Sequence, residues 1–343
     1  MADVLDVQIL HALQLSPRVS FRRIATVLGA SEQTVARRFQ RLRRDGVVRV
    51  VGLENPWTDR DVYWVCRIHA KPDRISQLAD ALVRRPDVAH AHILSGWTEL
   101  VCIIRAPLGE DREDTVLQRL PRMTSVIDVN VDLVLHTFGR PASTPWTGYG
   151  HRLSDEQAEQ VLADCAEQPP PRQPTRPAVE DRPILDALAE DGRAPHSLLA
   201  ERTGWTVARV GRRLATLEAS GALFYDTDLL PERLGYRVSA MLWLSVTPRY
   251  IQQVGEEIAA HPEIPFAAAL SGRNNVLAVA ICRDTHDLYR YLTDQLAPIK
   301  HVLTSDVRIR TQFLKQHGSV IAHGRLINPK PPASRSPRQR PPP

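Results

Sequence analysis

Residues 31–46 read Ser-Glu-Gln-Thr-Val-Ala-Arg-Arg-Phe-Gln-Arg-Leu-Arg-Arg-Asp-Gly. The stretch predicts one amphipathic helix. Ser31 offers an oxygen to the free amides at its start, and Gly46 can end it in left-handed backbone at little cost. Val35, Phe39 and Leu42 fall at i, i+4 and i+7 and form one apolar stripe. At about 100° per residue, Gln33, Arg37, Gln40 and Arg44 share the opposite face, with Thr34 and Arg41 beside it. Such a face suits double-stranded DNA: arginine forks onto guanine, glutamine onto adenine, and the same cations neutralise phosphates.

The flanks extend this reading. Val19 to Leu28 carries Phe21, Ile24, Ala25 and Leu28 at helical spacing, and Gly29-Ala30 makes a short turn. Val4 to Leu15 places Leu5, Ile9, Ala12 and Leu13 on one side of an earlier helix. After Gly46, Val47 to Gly52 is a β-branched run suited to a short strand. Three helices, a tight turn and a strand make a winged helix-turn-helix over residues 1–53, whose third helix belongs in the major groove. The N-terminal part of that helix enters deepest, so Gln33, Thr34 and Arg37 are expected at base edges. Arg38, Arg41 and Arg44 are expected at phosphates, and Ser31 and Gln40 complete the contact set.

Composition agrees. The net charge of the 343 residues is +5, while Ser16 to Arg49 alone holds nine arginines against Glu32 and Asp45. The start, Met-Ala-Asp-Val-Leu-Asp, has no long apolar run, so no secretory leader is expected, and no stretch is apolar enough to span a membrane. Cys66, Cys102, Cys165 and Cys282 lie far apart, without the spacing of a zinc site or disulfide framework. A cytoplasmic protein is expected.

Residues 60–139 alternate strand and helix signals. Tyr63–Ala70, Val88–Leu94, Glu99–Arg105 and Val126–Thr137 predict strands; Ile75–Arg85 and a stretch around Thr115–Leu120 predict helices. The order β-α-β-β-α-β is ferredoxin-like, an α+β (ACT-like) fold in which two helices cover one sheet face. The other face is left for a second copy. Residues 140–180 read as a short helix opening at Ser154 and then a stiff proline-rich linker, Pro169 to Pro177. The tail 328–343, with Lys330, Arg335, Arg338 and Arg340 among prolines, is expected to be disordered.

The chain then repeats itself. Ile9 to Leu13 aligns with Ile184 to Leu188 at an offset of 175, and Gly29, Val35, Arg37-Arg38, Leu42 and Gly46 meet Gly204, Val210, Arg212-Arg213, Leu217 and Gly221 without a gap. Pro86 meets Pro262 and Ser95-Gly96 meets Ser271-Gly272 at 176; Phe138 meets Phe313 at 175. A second helix-turn-helix (181–231) and a second ferredoxin-like domain (236–316) follow.

These residues resemble the Lrp/AsnC (feast/famine) regulators. The resemblance is carried by Leu5 to Leu10, Leu28-Gly29-Ala30-Ser31, Arg37-Arg38 and Asp45 to Val48. It implies a transcriptional regulator that binds double-stranded DNA, an effector and assembly domain behind each helix-turn-helix, and a homo-oligomer in which the two halves of one chain form a pseudo-dimer.

The halves differ. Moving by 175 turns Gln33 into Ala208, Gln40 into Ala215, Arg41 into Thr216 and Arg44 into Ala219; Arg37 stays arginine as Arg212, beside Arg213 and with Arg209 at the edge. An alanine face makes no base-edge hydrogen bonds, so the first module is expected to dominate and the second to be weak or degenerate.

In similar proteins, amino acids bind near the turn between the second and third strands. The corresponding turns here are Gly96-Trp97-Thr98-Glu99 and Gly272-Arg273-Asn274-Asn275. Glu99 would meet an amino group and Arg273 a carboxylate. His90 and His92 alternate on one strand face but lack a third donor nearby in sequence, so no metal is assigned. No phosphate loop and no nucleophile–base pair appears, so no catalytic residue or cofactor is assigned. The competing class is an enzyme: siroheme decarboxylases share this architecture. Against it, His90 and His92 align with Phe266 and Ala268, and such an enzyme has no use for the Arg37 face.

Overall fold

A computed structural model of the chain describes residues 3–55, 61–94, 96–108, 116–139, 146, 148–163 and 175–328. The proline-rich run up to residue 174 and the tail from 329, for which a linker and disorder were expected, lie outside these residues, as do Ser95, Thr115 and Cys165.

The chain opens with helices α1 (Val4–Leu15), α2 (Phe21–Leu28) and α3 (Glu32–Arg44). Each begins on a capping side chain: Asp3, Ser20 and Ser31 accept from Asp6, Arg23 and Thr34 amides. Gly29 ends α2 in left-handed backbone at φ 62°, which turns the chain into α3. Ile9, Leu13, Ile24, Val35, Phe39 and Leu42 close the core of this module. Strand β1 (Val48–Glu54) follows.

Next come β2 (Asp61–Ala70), α4 (Ile75–Val83), β3 (Val88–Leu94), β4 (Glu99–Pro107), the single turn α5 (Val116–Arg119) and β5 (Val126–Phe138), in the expected order. Helix α6 (Asp155–Leu162) begins at Ser154 with a capping box. The chain continues with α7 (Arg182–Glu190), α8 (His196–Thr203), α9 (Val207–Ala219) and β6 (Leu223–Leu229). It proceeds through β7 (Val238–Val246), α10 (Ile251–Ala259), β8 (Phe266–Leu270), β9 (Val276–Cys282), α11 (Thr285–Arg290) with a π-helical continuation (Tyr291–Leu296), and β10 (Val302–Gln316). Among the described residues no helix is long and apolar enough to cross a membrane.

One expectation is corrected. Neither post-helix strand forms a wing. β1 pairs antiparallel with β6, from Val48↔Leu229 to Glu54↔Leu223, with Val51 opposite Asp226 at the centre. A lone β-branched strand leaves its amides unpaired, and the equivalent strand of the other module satisfies them. The join is tight. Gly192 donates its amide to the Val50 carbonyl, and a Cβ on it would sit 2.7 Å from the Val51 backbone. The short helix expected within 140–180 packs on the first module. Leu153 and Val161 enter the first module's core, while Trp146 and Tyr149 join the apolar layer between the sheets.

The remaining strands close on themselves. Eight run in the order β10-β3-β4-β2-β5-β8-β9-β7 and return to β10, every neighbour antiparallel. The long strands make the seams: the end of β5 leaves β2 for β8, and the end of β10 leaves β7 for β3. Helices cover the outer faces, where alternate residues such as Cys66, Ile68, Leu242 and Leu244 are buried. The inner faces meet through Val65, Leu94, Met241, Trp243, Leu277 and Ile281. Phe138 crosses a seam and lies against Gly255 of α10, where an added Cβ would fall 2.2 Å from the ring. Strands β11 (Ser319–Ala322) and β12 (Arg325–Ile327), which the sequence reading left unassigned, extend the sheet beyond β10.

Candidate DNA-reading face and interior cavity

Helix α3 presents Gln33, Arg37, Gln40 and Arg44 to solvent, as its periodicity requires. Gln33, Arg37 and Gln40 make no side-chain hydrogen bond or ion pair among the described residues. Thr34 is half-buried and shares a 2.8 Å contact with the Ser31 hydroxyl, so both belong to the cap. Arg44 is 75 % exposed and reaches only Asp45, at 3.4 Å.

Arg38, expected at phosphates, is turned inward to Asp3 and Asp6. Arg41 also reaches Asp6 from a more exposed position. The second module repeats this bond: Arg213 grips buried Asp181 with Nε and NH2, each at 2.6 Å. Burial raises the Asp181 carboxyl, but the guanidinium fork and the Ala178 amide outweigh it and hold it below the ordinary value. These arginines staple the third helix of each module to its first.

On α9 the exposed face is Val207, Ala208, Arg209, Arg212, Ala215, Thr216 and Ala219. Arg209 stacks on Trp205 at 4.1 Å, and Arg212 projects into solvent.

The two modules also touch. Arg18 donates to the Gly192 carbonyl at 2.8 Å, while Arg193 donates to the carbonyls of Pro17 and Val19 at 2.6 and 2.8 Å. The α3 end has a further support that reaches it from the C-terminal hairpin. Leu326 donates its amide to the Gly46 carbonyl, and Arg325 donates to the Arg44 carbonyl. Buried Arg49 holds the Gly318 carbonyl and Ser319 hydroxyl at 3.1 and 2.8 Å.

The turn residues expected to bind an effector are placed differently from one another. Glu99 is 3 % exposed and accepts from Arg67 Nε at 2.7 Å. Its charge is therefore already paired with a guanidinium. Arg67 also stacks on Trp243 at 4.1 Å. Gly96 sits at φ 97° and Trp97 at 53°, with Trp97 half exposed, as a tight hairpin turn demands. Gly272 packs on the Asp132 carboxylate, and Arg273 opens onto a cleft shared with Arg67 and Asp132.

A larger cavity of ≈ 260 Å³ lies inside the closed strands, and His90 and His92 both line it. The structure brings a third imidazole to them. His317, in the turn after β10, stands 4.3 Å from the His90 ring. Burial holds His90 and His92 well below the ordinary histidine value, so both are neutral. Burial also lowers His317, but Asp226 at 2.8 Å and Asp228 beyond it lift it to about 10. Asp226, Asp228 and His317 bring ligand atoms within 4.8 Å of one another. His317 and Asp226 stand as an ion pair, while burial raises the Asp228 carboxyl above its ordinary value. Sequence reasoning missed His317 because nothing near it in the chain announces a site; only the strand pairing delivers it.

Residues 3–43 and again 181–218 match the AsnC-type helix-turn-helix domain, and residues 239–320 match the Lrp/AsnC ligand binding domain. The chain is 31% identical over 121 residues to the HTH-type transcriptional regulator AldR of Mycolicibacterium smegmatis, covering 34% of this chain and 70% of that one. The chain belongs to the Lrp/AsnC family. It is also 26% identical over 123 residues to the regulator LrpA of Pyrococcus horikoshii, covering 36% of this chain and 87% of that protein. Among solved structures, the siroheme decarboxylase NirDL superposes with a TM-score of 0.54 at 18% identity, over 92% of this chain and 93% of its own. At that identity the likeness is one of fold. This Lrp/AsnC protein thus carries the family's helix-turn-helix in two segments.

Proposed function

We propose that the chain is a tandem-duplicated, sequence-specific regulator whose first helix-turn-helix reads DNA and whose second contributes phosphate contacts or support. The observation that carries this reading is the α3 face: Gln33, Arg37 and Gln40 are exposed and make no side-chain bond within the described chain, while their neighbours Arg38 and Arg41 are committed to ion pairs. A bidentate donor set held on a capped, stapled helix is pre-organised for base edges. Duplication is supported by the β1–β6 register, which runs symmetrically about Val51 and Asp226, and by the reciprocal Arg18 and Arg193 bonds. Two modules in one chain then take the place of a dimer, and further copies would supply additional reading heads. The test is selection of bound fragments from the source genome, followed by salt-dependent anisotropy titration of the best fragment against a scrambled one. A preference for the selected fragment supports the reading; equal binding to both defeats it.

A second reading, a tetrapyrrole enzyme like NirDL, is favoured by the three histidines that line one cavity in a chain of the same overall fold. Mixing the protein with an iron-uroporphyrin III analogue decides between them. A shifted Soret band lost in His90→Ala would support the enzyme; an unchanged spectrum would remove it.

A further inference from the structure

We propose that the cavity takes a small carboxylate with an apolar body and no ammonium group, its carboxylate held by Arg310. The argument begins with charge. Arg310, on β10, lines the cavity and directs Nε to the Ser239 hydroxyl at 2.8 Å, with NH2 on the same oxygen. Its NH1 lies 3.5 Å from His92 Nε2, and its guanidinium stacks 4.4 Å from the Phe313 ring. Among the described residues no carboxylate touches it. Arg310 is partly buried, and burial pulls its pKa down to about 9 against the opposing pull of Glu232.

His92 meets Arg310 as an acceptor. It is 5 % exposed, and its Nδ1 has no hydrogen-bond partner among the described residues. Because Nε2 faces the Arg310 donors, the neutral ring carries its proton on Nδ1. A cation lining an apolar-walled cavity calls for an anionic acceptor, and a carboxylate supplies two oxygens for the guanidinium N–H groups that remain.

The cavity also states what the ligand lacks. Asp226 is the carboxylate among its described lining residues, and it is already bound to His317 at 2.8 Å. An amino acid's ammonium would therefore find no carboxylate free of an existing ion pair among the described lining residues. Phe266, Phe313, Met241, Leu277 and Val279 form apolar walls. A volume of ≈ 260 Å³ suits a small acid, below the roughly 300–1,000 Å³ usual for larger ligands.

The site has a route to the DNA-reading module. From Arg310 the chain follows β10 to its end at Gln316 and turns at His317, and the adjacent Gly318 and Ser319 hold Arg49, just beyond the end of α3. A role as effector site rests on the regulator reading; the binding site itself does not.

The test uses the full-length protein, with sodium 3-phenylpropionate and phenylalanine as probes and equal sodium chloride as control, by thermal shift and calorimetry. 3-Phenylpropionate should raise the melting temperature, and phenylalanine should bind about tenfold or more weakly, the scale of one lost ionic partner. Arg310→Met should weaken 3-phenylpropionate by about tenfold or more. The wild-type comparison of the two probes needs no variant, so it stands even where Arg310→Met does not fold. No stabilisation beyond sodium chloride, equal binding of phenylalanine, or an unchanged affinity in a folded Arg310→Met would each overturn the proposal. Anisotropy on DNA with the same samples separates the two claims. Acid binding without sequence preference removes the regulator and leaves the cavity; sequence preference without acid binding does the reverse.

Discussion

The two helix-turn-helix modules are built alike inside and differently outside. Both bury one apolar stripe on the third helix: Val35, Phe39 and Leu42 in the first, Val210, Leu214 and Leu217 in the second. Both staple that helix to the first helix through an arginine on a buried aspartate, Arg38 on Asp6 and Arg213 on Asp181. Outside, α3 offers glutamines and arginines where α9 offers Ala208, Ala215 and Ala219. The α3 end is also braced by the C-terminal hairpin through Gly46 and Arg49. The difference teaches that retaining a fold and retaining a reading surface are separate demands. Core positions answer to packing, whereas a solvent face answers only to what it touches.

The largest expected effect tests the interiors with pH. His11 is buried and accepts the Leu153 amide at 3.1 Å, so it must be neutral, and burial pushes its pKa down to about 4. Its counterpart at offset 175 is exposed Asp186. The folded pKa lies below the ordinary 6.5, so this stability is present above 6.5 and lost as pH falls toward 4. The full loss is roughly 3 kcal/mol. Amide exchange should show α1 and α6 loosening across that window while α7 holds until Asp181 protonates, below its ordinary 3.8. His11→Gln should remove the difference. Simultaneous loosening of α1 and α7 would mean the modules melt as one unit.

The next test concerns the outer faces. Arg37→Ala should cost about 1–3 kcal/mol of discrimination between a selected and a scrambled DNA fragment. Arg212→Ala should cost less than about 0.5 kcal/mol, as surface substitutions usually do. Equal losses would break the asymmetry. Arg44→Ala should instead weaken both fragments alike and lower the salt slope by about 1.

The smallest effect tests sameness. Ser31 and Thr206 cap α3 and α9 by accepting from Thr34 and Arg209 amides. Ser31→Ala and Thr206→Ala should each lower stability by about 1 kcal/mol in denaturant melts. A large disparity would show that one module leans on its neighbours more than the other.

Much of the architecture was legible before the strands were paired. Caps at Ser31 and Ser154, the turn at Gly29 and the α3 stripe depend on residues within four positions of each other. The wing was misread because Val47 to Gly52 specifies extended backbone but not its partner. β6 provides that partner from more than 170 residues away. The ion pairs of Arg38 and Arg41 went unforeseen for a related reason. They lie beside the reading face, and periodicity alone does not register an aspartate at the start of α1 waiting for them.

By itself, then, the sequence determined the helices, their ends, the repeated helix-turn-helix signal and the alanines on the second module's outer face, because each follows from local spacing or register. Only the tertiary structure decided which arginines of α3 enter ion pairs, that β5 and β10 cross between sheets, and that His90, His92, Arg310 and His317 share one cavity. His92 and Arg310 stand 218 residues apart in the chain. Their meeting depends on the closure of eight strands, and closure is a property of the whole sheet, which no single segment carries.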